Sequence, residues 1–517
     1  MLKRSDEIMV VTRNSNWNWI PSNIWVGVGK MKTDQVTFKL GPIYKRKGIG
    51  YEQALATAIH PEGDATHDSP YVDVTYTDPA RLGEYGVLEY DYLINATGPK
   101  LNFGATPGLG PDGHSYSVCT SVHAVEASAA LLASIAKMKQ GVHQVLVIGM
   151  GHGTCTCEGA AFEYAFNVEH EVRQAGVREL ADIVYLTNEY ELGDFGVGGL
   201  TFTQQGFQTT SKLWTESLFR ERGIRAITGA HVTGVEDGVV HYEQLDGTSN
   251  SLAFDFAMLL PPFRGVDLQA FDKDGEDISA ELFASNGFMK VDADYTAKPF
   301  EEWRAEDWPR TYQVPQFPHI FAVGIAFAPP HQISRPGKSS NGTVIAPSPP
   351  RTGMPSGIMG KLAATNIAAM IEKGDAVKVL SASMADMAAA CVASAGSRPA
   401  PWERGVDDDV PGRARPREIS GHRAQPQGHL RRDRAGRTLD QAGTALHVYL
   451  QSQGSPGLAP DPRVGEKRTM DHSADDIASA PLPTAKTLRA RTSLVTQFGR
   501  FLAINLKMAK IIRKEHR

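Results

Sequence analysis

The chain has 517 residues, of which 41% are hydrophobic, so it can hold two or three domains with sizeable cores. Its net charge of −5 gives no reason to expect nucleic acid as a partner, and four cysteines are too few for a disulfide-stapled secreted scaffold. Charged residues, beginning with Lys3 and Arg4, stand where a signal peptide would have an apolar run, so no signal peptide is predicted. No segment reaches the roughly 18 apolar residues of a membrane span. These features predict a soluble or membrane-peripheral protein.

The first predicted element is a short buried strand within EIMVVTRN, of the kind found in parallel sheets. It is followed by WNWIPSNIWVGVG, which is predicted to form a loop rather than a helix because it is rich in tryptophan and glycine. The glycine-rich turn and helix that open a dinucleotide fold are missing here. We therefore interpret the strand as a second strand, as if translation began about 30 residues late, the length of one strand–turn–helix unit.

The segment YDYLINATGPKLNF predicts a strand over residues 93–96 that ends in Thr97-Gly98. A glycine at this point permits the close backbone approach of a dinucleotide, because it lacks a Cβ. Later in the chain HIFAVGIA, with Gly324, has the form of the second half of a flavin-binding pattern, although Ile325 stands where aspartate is usual. The two motifs lie on either side of a further nucleotide-fold unit, and together they indicate an enzyme with two dinucleotide-binding folds.

That unit is QVLVIGMGHGTCTCEGAAFEYAF, with a strand over 145–148, glycines at 149, 151 and 153, and a helix from about Glu158. A helix over about 122–139, with Ser121 as its cap, precedes it. Residues 154–157 are Thr-Cys-Thr-Cys where a third glycine or alanine would allow pyrophosphate to approach. We therefore expect a site that has kept the nucleotide fold but does not bind nicotinamide. Strands in DIVYLT and FDFAMLL and a helix over about 357–371 follow.

The four cysteines do not form a local zinc pattern, and no metal site is predicted. Cys155 and Cys157 lie where backbone amides and a helix N-terminus favour a thiolate, although either could be a small buried residue. Cys119 is close in sequence to His123, which could lower the pKa of its thiol, but it too could be merely buried. Cys391 ends a helix-like run of alanine and methionine and by itself is predicted to be core.

Residues 397–470 are crowded with arginine, proline, glycine and aspartate and show poor periodicity. They fit either a disordered linker or the out-of-frame translation of a GC-rich gene. The last segment, 478–517, predicts a basic amphipathic helix. Such a helix can lie on an anionic membrane surface, the alternative being an ordinary terminal helix that faces a core.

Seven separated motifs resemble those of the sulfide:quinone oxidoreductases, in the order of that family. They are WNWIPSNIWVGVG, YDYLINATGPKLNF, SYSVCTSVHA, NEYELGDFGVGG, LLPPFRG, PPRTGMPSGIMG and MAAACVASAG. The resemblance covers about residues 8–396 and the terminal helix. It implies an α/β fold with two Rossmann-like domains and a C-terminal amphipathic helical region. The first domain, for FAD, would comprise 1–115 and 297–396 and be incomplete, and the second would comprise 116–296.

The resemblance also implies the site residues. The redox cysteines would be Cys119, Cys391 and one of the pair Cys157 and Cys155, with the match of EGAAFEY favouring Cys157 and a longer loop leaving Cys155 open. Arginine at position 351 stands where lysine is usual. The implied flavin contacts are Pro21, Asn23, Thr97, Gly98, Gly324, Arg351, Thr352 and Gly353.

The implied reaction begins with hydrosulfide attacking a disulfide between Cys157 (or Cys155) and Cys391. A persulfide and a Cys391 thiolate result, two electrons pass through the flavin to a quinone, and Cys119 holds or releases sulfane sulfur. His123 and Glu163 are candidates for proton transfer.

The implied partners are sulfide, a quinone and a membrane surface, with homo-oligomerisation left open. The implied location is peripheral, at a bacterial inner membrane whose side is open. Alternatives are the flavin subunit of a cytochrome-linked sulfide dehydrogenase and an inactive, flavoprotein-like pseudogene product.

Overall fold

The computed structural model describes residues 6–204, 207–384, 387–394, 445–451, 471–485 and 506. The predicted disordered or out-of-frame stretch, 397–470, lies outside the described residues apart from one strand. Of the predicted terminal helix, 478–517, only residues 478–485 and 506 are described. Within these ranges, every helix is either too short or too polar to cross a lipid bilayer.

The helices are α1 Asn23–Gly27, α2 Thr33–Val36, α3 Gly41–Lys47, α4 Ser121–Lys139, α5 Glu158–Gln174, α6 Ser211–Arg222, α7 Ser279–Leu282, α8 Gly353–Lys373 and α9 Ser473–Ser479. The strands up to the middle of the chain are β1 Met9–Val11, β2 Asn16–Asn18, β3 Thr37–Lys39, β4 Gly50–Glu52, β5 Ala54–His60, β6 Tyr71–Tyr76, β7 Tyr85–Glu89, β8 Leu93–Asn95, β9 Lys100–Leu101, β10 Gln144–Met150, β11 Ala181–Leu186, β12 Thr201–Gln204 and β13 Phe207–Thr210. The remaining strands are β14 Arg225–Ile227, β15 Ala230–Glu236, β16 Val239–Gln244, β17 Ser249–Ala253, β18 Phe256–Leu260, β19 Phe263–Arg264, β20 Gln269–Ala270, β21 Ile320–Ala322, β22 Gly337–Lys338, β23 Val344–Ile345, β24 Ala388–Ser394 and β25 Ala445–Gln451.

A four-stranded parallel sheet with the order β14-β11-β10-β18 forms the centre of the nucleotide-fold unit. Strand β10 is almost wholly apolar because both of its faces are buried, with α4 and α5 packed against it. Gly149 has to be glycine, since a Cβ there would lie 1.8 Å from the carbonyl oxygen of Leu186 on β11. The predicted strand, glycine loop and helix are therefore present in this order.

A second group of strands carries the two glycine motifs that the sequence placed far apart. Strands β8 and β21 pair in parallel, with Asn95 opposite Ala322, and the amide of Val323 donates to the carbonyl oxygen of Asn95 at 3.0 Å. Thr97-Gly98 and Gly324 therefore leave neighbouring strands at the same edge. Strands β5, β6, β7 and β20 form a separate mixed sheet with the order β20-β5-β6-β7. Together with the parallel sheet, this arrangement confirms the predicted α/β class.

Two local predictions were wrong at the N-terminal side. The segment WNWIPSNIWVGVG contains a short helix, α1, whose five residues are all buried. Packing against α4 and α5 accounts for it, and the hydroxyl of Tyr164 donates to the carbonyl oxygen of Gly27 at 2.9 Å. Helix α4 is capped by Thr120 rather than by Ser121, because the Thr120 hydroxyl accepts from the amide of His123.

Two others were wrong further along. Helix α8 begins at Gly353, earlier than predicted, because Pro355 is tolerated in a first turn whose amides need no partner within the helix. The helix-like run that ends in Cys391 forms strand β24 instead, which pairs with β25 and packs against α5 and α8. Tertiary pairing thus overrides the helical preference of alanine.

Candidate functional site

The cysteine loop, residues 151–157, joins β10 to α5 and is held by the rest of the chain. Asn188 Nδ2 donates to the carbonyl oxygens of Gly153 and Cys155, at 3.2 Å each. The Ala346 amide also donates to the Gly153 oxygen and the Ser348 amide to the Cys155 oxygen, at 2.8 Å each. The amide of Gly153 donates to His231 Nδ1 at 2.9 Å. Because these backbone groups already have protein partners, the loop is a rigid support for its two sulfurs.

Cys157 lies at the N-terminal end of α5 with φ 74° and ψ 36°. This left-handed conformation is uncommon for a residue with a Cβ, and such strain of about 1–3 kcal/mol is often found at functional sites. The position also places Cys157 beside the amides and positive dipole end of a helix of 17 residues. Both features fit a reactive sulfur.

Arg351 is the cation that acts on Cys157. Its guanidinium is buried, donates to the carbonyl oxygens of Ile325 at 2.9 Å and Phe327 at 2.5 Å, and lies 4.4 Å from the ring centre of Phe288. Burial lowers the pKa of Arg351 to about 9, whereas the charge of Cys157 raises it. The guanidinium is thus still a cation at neutral pH, and it attracts negative charge on the Cys157 sulfur.

The other two thiols with described side chains have a different environment. Cys155 is fully buried, its Sγ–H donates to the carbonyl oxygen of Leu260 at 3.1 Å, and burial, with the charge of Glu158 next, raises its pKa well above the usual range. Burial likewise raises the pKa of Cys119 to about 11, against the effect of Ser117. The thiolate stabilisation expected from the sequence is therefore wrong for Cys155, because burial outweighs the helix N-terminus.

The strand that carries Cys391 is fastened to the helix that follows Cys157. Ser394 donates from its amide and from Oγ to Glu163 Oε1, at 2.9 Å each, and Asn167 Nδ2 donates to Ser394 Oγ at 2.7 Å. We call these three residues the clasp. The structure describes Cys391 by its backbone, which pairs with Val448. The clasp therefore brings the backbone of the Cys391 strand to α5.

The two predicted proton-transfer candidates also lie near these elements. Burial raises the pKa of Glu163 to about 7, although the hydrogen bonds from Ser394 act in the opposite direction. Burial lowers the pKa of His123, whose ring packs edge-on against Phe103. A carboxyl group with a pKa near neutrality is suited to proton exchange.

Most of the predicted flavin contacts converge at one edge. Thr97, Gly98 and Gly324 follow the paired strands β8 and β21. The turn Gly324–Ala326 packs against α8, which begins at Gly353 and is preceded by Thr352. A Cβ on Gly98 or Gly353 would meet nothing within 4 Å, so this edge is open. Open glycines next to the N-terminus of a long helix fit the polar end of a flavin.

Pro21 and Asn23 lie elsewhere, on the α1 side. Asn23 exchanges two hydrogen bonds with the Asn18 side chain, at 2.9 and 3.0 Å, and Asn18 Oδ1 also accepts from the amide of Ser121. Pro21 is in the turn just before α1. The contacts tie Asn23, through Asn18, to Ser121, two residues after Cys119.

Sequence reasoning missed Glu158, Asn188 and Ser394. Glutamate at the first position of a helix is expected at the surface, where it complements the dipole, but Glu158 is buried. No sequence signal distinguishes the two cases, because the neighbours of Glu158 come from distant segments.

No family model matches the chain. The curated sulfide-quinone reductase of Aquifex aeolicus is 29% identical to it over 361 residues, which are 70% of each protein. The crystal structure of the sulfide:quinone oxidoreductase from Aquifex aeolicus superposes with a TM-score of 0.56 and 26% identity, covering 75% of each chain. The chain is thus similar, in sequence and in structure, to sulfide:quinone oxidoreductases. This relation confirms the resemblance seen in the sequence and the prediction of an oxidoreductase fold.

Proposed function

We propose that this protein oxidises sulfide to sulfane sulfur in a flavin-dependent reaction and passes the electrons to a quinone. The observation that carries the proposal is the cysteine loop, in which Cys157 meets a helix N-terminus and the buried cation of Arg351. The clasp fastens the strand of Cys391 to the same helix. The names of the relatives in Aquifex aeolicus agree with this chemistry.

Cys157, rather than Cys155, is the partner of Cys391 in this proposal. Hydrosulfide attacks Sγ of Cys157 in the disulfide, a new S–S bond forms a persulfide there, and the broken bond leaves a thiolate on Cys391. The sulfur of sulfide is oxidised and the disulfide is reduced by the same two electrons. Cys155 is unsuited because its buried thiol is bonded to a carbonyl and has a raised pKa.

FAD would accept the two electrons, which allows the disulfide to form again, and would transfer them to the quinone. The open edge formed by Thr97, Gly98, Gly324, Thr352 and Gly353 would hold it. Arg351, at the end of the segment covering the cysteine loop, would lie between that edge and Cys157. The residues at this edge therefore fit one part of the cofactor, whereas the glycine-rich turn that would hold the pyrophosphate is not among the residues of the chain.

The proposal extends to the surrounding groups. Glu163 takes the proton that the persulfide loses, since its pKa lies near 7, with His123 as a second proton carrier. Cys119 holds sulfane sulfur. Residues 116–296 form the second Rossmann-like domain, and 1–115 with 297–396 form the flavin domain. The basic terminal segment, 478–517, binds the membrane surface where quinone is found.

The test is anaerobic addition of sulfide to the purified, flavin-loaded chain, with flavin absorbance as the readout. We expect bleaching in the unchanged protein and in Cys155→Ser, and none in Cys157→Ser or Cys391→Ser. Equal bleaching in Cys391→Ser, or no bleaching in the unchanged protein, would contradict the proposal. Transfer to a quinone analogue and to cytochrome c, compared side by side, separates the quinone from the cytochrome-linked alternative.

A further inference from the structure

We infer that the Glu158 carboxyl is held as a neutral acid beside the cysteine loop, and that its loss of a proton sets the alkaline limit of the sulfur chemistry in that loop. The second part rests on the proposed function, whereas the first part does not. Neither the reaction proposed above nor its proton carriers use Glu158.

The Glu158 side chain, which is 1% exposed, is buried away from water, and neither carboxyl oxygen has a partner that meets normal hydrogen-bond geometry in the described part of the chain. A Cβ on Gly196 would lie 3.6 Å from Oε2, so the backbone of the loop after β11 closes over the carboxyl. An ionised carboxylate in such a dry site is strongly unfavourable, whereas a protonated one is tolerated.

The Asn188 side chain acts on Glu158 against the effect of burial and lowers the pKa of Glu158. Asn188 Nδ2 is already used by the carbonyl oxygens of Gly153 and Cys155, while Asn188 Oδ1 is buried and has no donor among the described residues. An ionised Glu158 has no proton to offer this acceptor, but a carboxylic acid does.

The charges that face Glu158 act in the same direction as its burial. Glu189 and Asp194 approach from the loop after β11, the Tyr185 hydroxyl donates to the Glu158 carbonyl oxygen at 3.1 Å, and Cys155 lies on the cysteine loop. Burial, followed by the charge of Glu189, raises the pKa of Glu158 well above its usual range. The buried cation of the region, Arg351, acts on Cys157 instead.

A neutral Glu158 leaves the loop free to carry one negative charge on sulfur. Once Glu158 ionises, that charge has a like neighbour, so both the entry of hydrosulfide and the persulfide anion become less favourable. The rate of the sulfur chemistry should therefore fall at high pH because Glu158 ionises. Without that ionisation, the rate should rise with pH, because more of the sulfur nucleophile is in its ionised form.

The first experiment compares the unfolding of the full chain and Glu158→Gln at several values between about pH 5 and pH 9. Folded Glu158 keeps its proton above the pH at which unfolded glutamate loses it, so the folded chain binds more protons and its stability falls as pH rises. Glutamine cannot ionise, so we expect the unfolding midpoint of Glu158→Gln to exceed that of the unchanged chain by an amount that grows with pH. Glu158→Met, which also lacks a charge, should show the same trend.

Glu169 on the same helix provides the matched control. It is also fully buried, but it pairs with Arg173, Arg178 and Arg222. Glu169→Gln should lower the midpoint at neutral pH, the opposite sign, because it removes the partner of three cations. If Glu158→Gln and Glu158→Met follow the same pH dependence as the unchanged chain, the inference is overturned.

The second experiment measures sulfide-dependent flavin reduction over the same pH range. We expect the alkaline fall in rate to move up by at least one pH unit in Glu158→Gln. An unmoved fall refutes the link to sulfur chemistry. A chain that shows the stability result but no sulfide reaction at any pH would instead contradict the proposed function, so the two failures are distinguishable.

Discussion

Replacing Ser394 by alanine should loosen the attachment of the Cys391 strand to α5. The substitution removes the Oγ that donates to Glu163 at 2.9 Å and accepts from Asn167 at 2.7 Å, while the amide of residue 394 still reaches Glu163. Of the two hydrogen bonds lost, one is to a carboxyl group and one is between neutral groups, and the groups left behind are buried. Losing both should lower the free energy of unfolding by about 2–4 kcal/mol.

Urea denaturation measures this loss, and the yield of the proposed Cys157–Cys391 disulfide under a fixed thiol buffer measures its consequence. Ser473→Ala is a matched control, because Ser473 is another buried serine, whose Oγ donates to the carbonyl oxygen of Ala226 at 2.8 Å. It should cost about 1 kcal/mol and leave the disulfide yield unchanged. A loss below about 0.5 kcal/mol in Ser394→Ala, or an equal effect of both variants on the disulfide, would refute the role of the clasp.

Three further predictions follow from single contacts. The pKa of Glu163 is about 7 in the folded chain against its ordinary value of 4.5, so folding takes up a proton between these pH values and the free energy of unfolding falls by about 3 kcal/mol as pH rises through them. In pH-dependent denaturation, Glu163→Gln should reduce this dependence of stability on pH, and an unchanged dependence would count against the prediction. Gly98, with φ 71° and open space around it, should lose flavin when changed to alanine, as seen in absorbance per chain, whereas Gly83→Ala (φ 81°, equally open) should retain it; equal retention would exclude Gly98 from the flavin site. Asp471 accepts from the Thr228 amide and hydroxyl and from the Ser473 amide, so Asp471→Ala should speed proteolysis within 471–485 but not elsewhere; unchanged cleavage would contradict this docking.

The repeated local patterns were predictable because each is encoded by neighbouring residues. The apolar run of β10, the glycines after it and the helix from Glu158 follow from period and turn chemistry. The helix-like run around Cys391 misled for the opposite reason. Alanine favours a helix locally, but β25 pairs with that segment from some 50 residues further along the chain.

The sequence named candidate site residues but did not rank them. Sequence alone left Cys155 and Cys157 as alternatives, since both stand in the same turn. The structure separates them, because Arg351 acts on one sulfur while the Leu260 carbonyl, burial and Glu158 act on the other. Arg351 and Leu260 lie about 100 to 200 residues from the cysteines along the chain, which no local pattern can reveal.

By itself, then, the sequence determined the α/β class, the nucleotide-fold unit, the kinship with sulfide:quinone oxidoreductases and the set of four cysteines. Tertiary structure alone decided which glycine motifs share an edge, how the Cys391 strand is fastened to α5, and that Glu158 is buried rather than exposed. The physical reason is that hydrogen-bond periodicity is local, whereas burial and the electrostatic environment of a side chain depend on what distant segments bring to it.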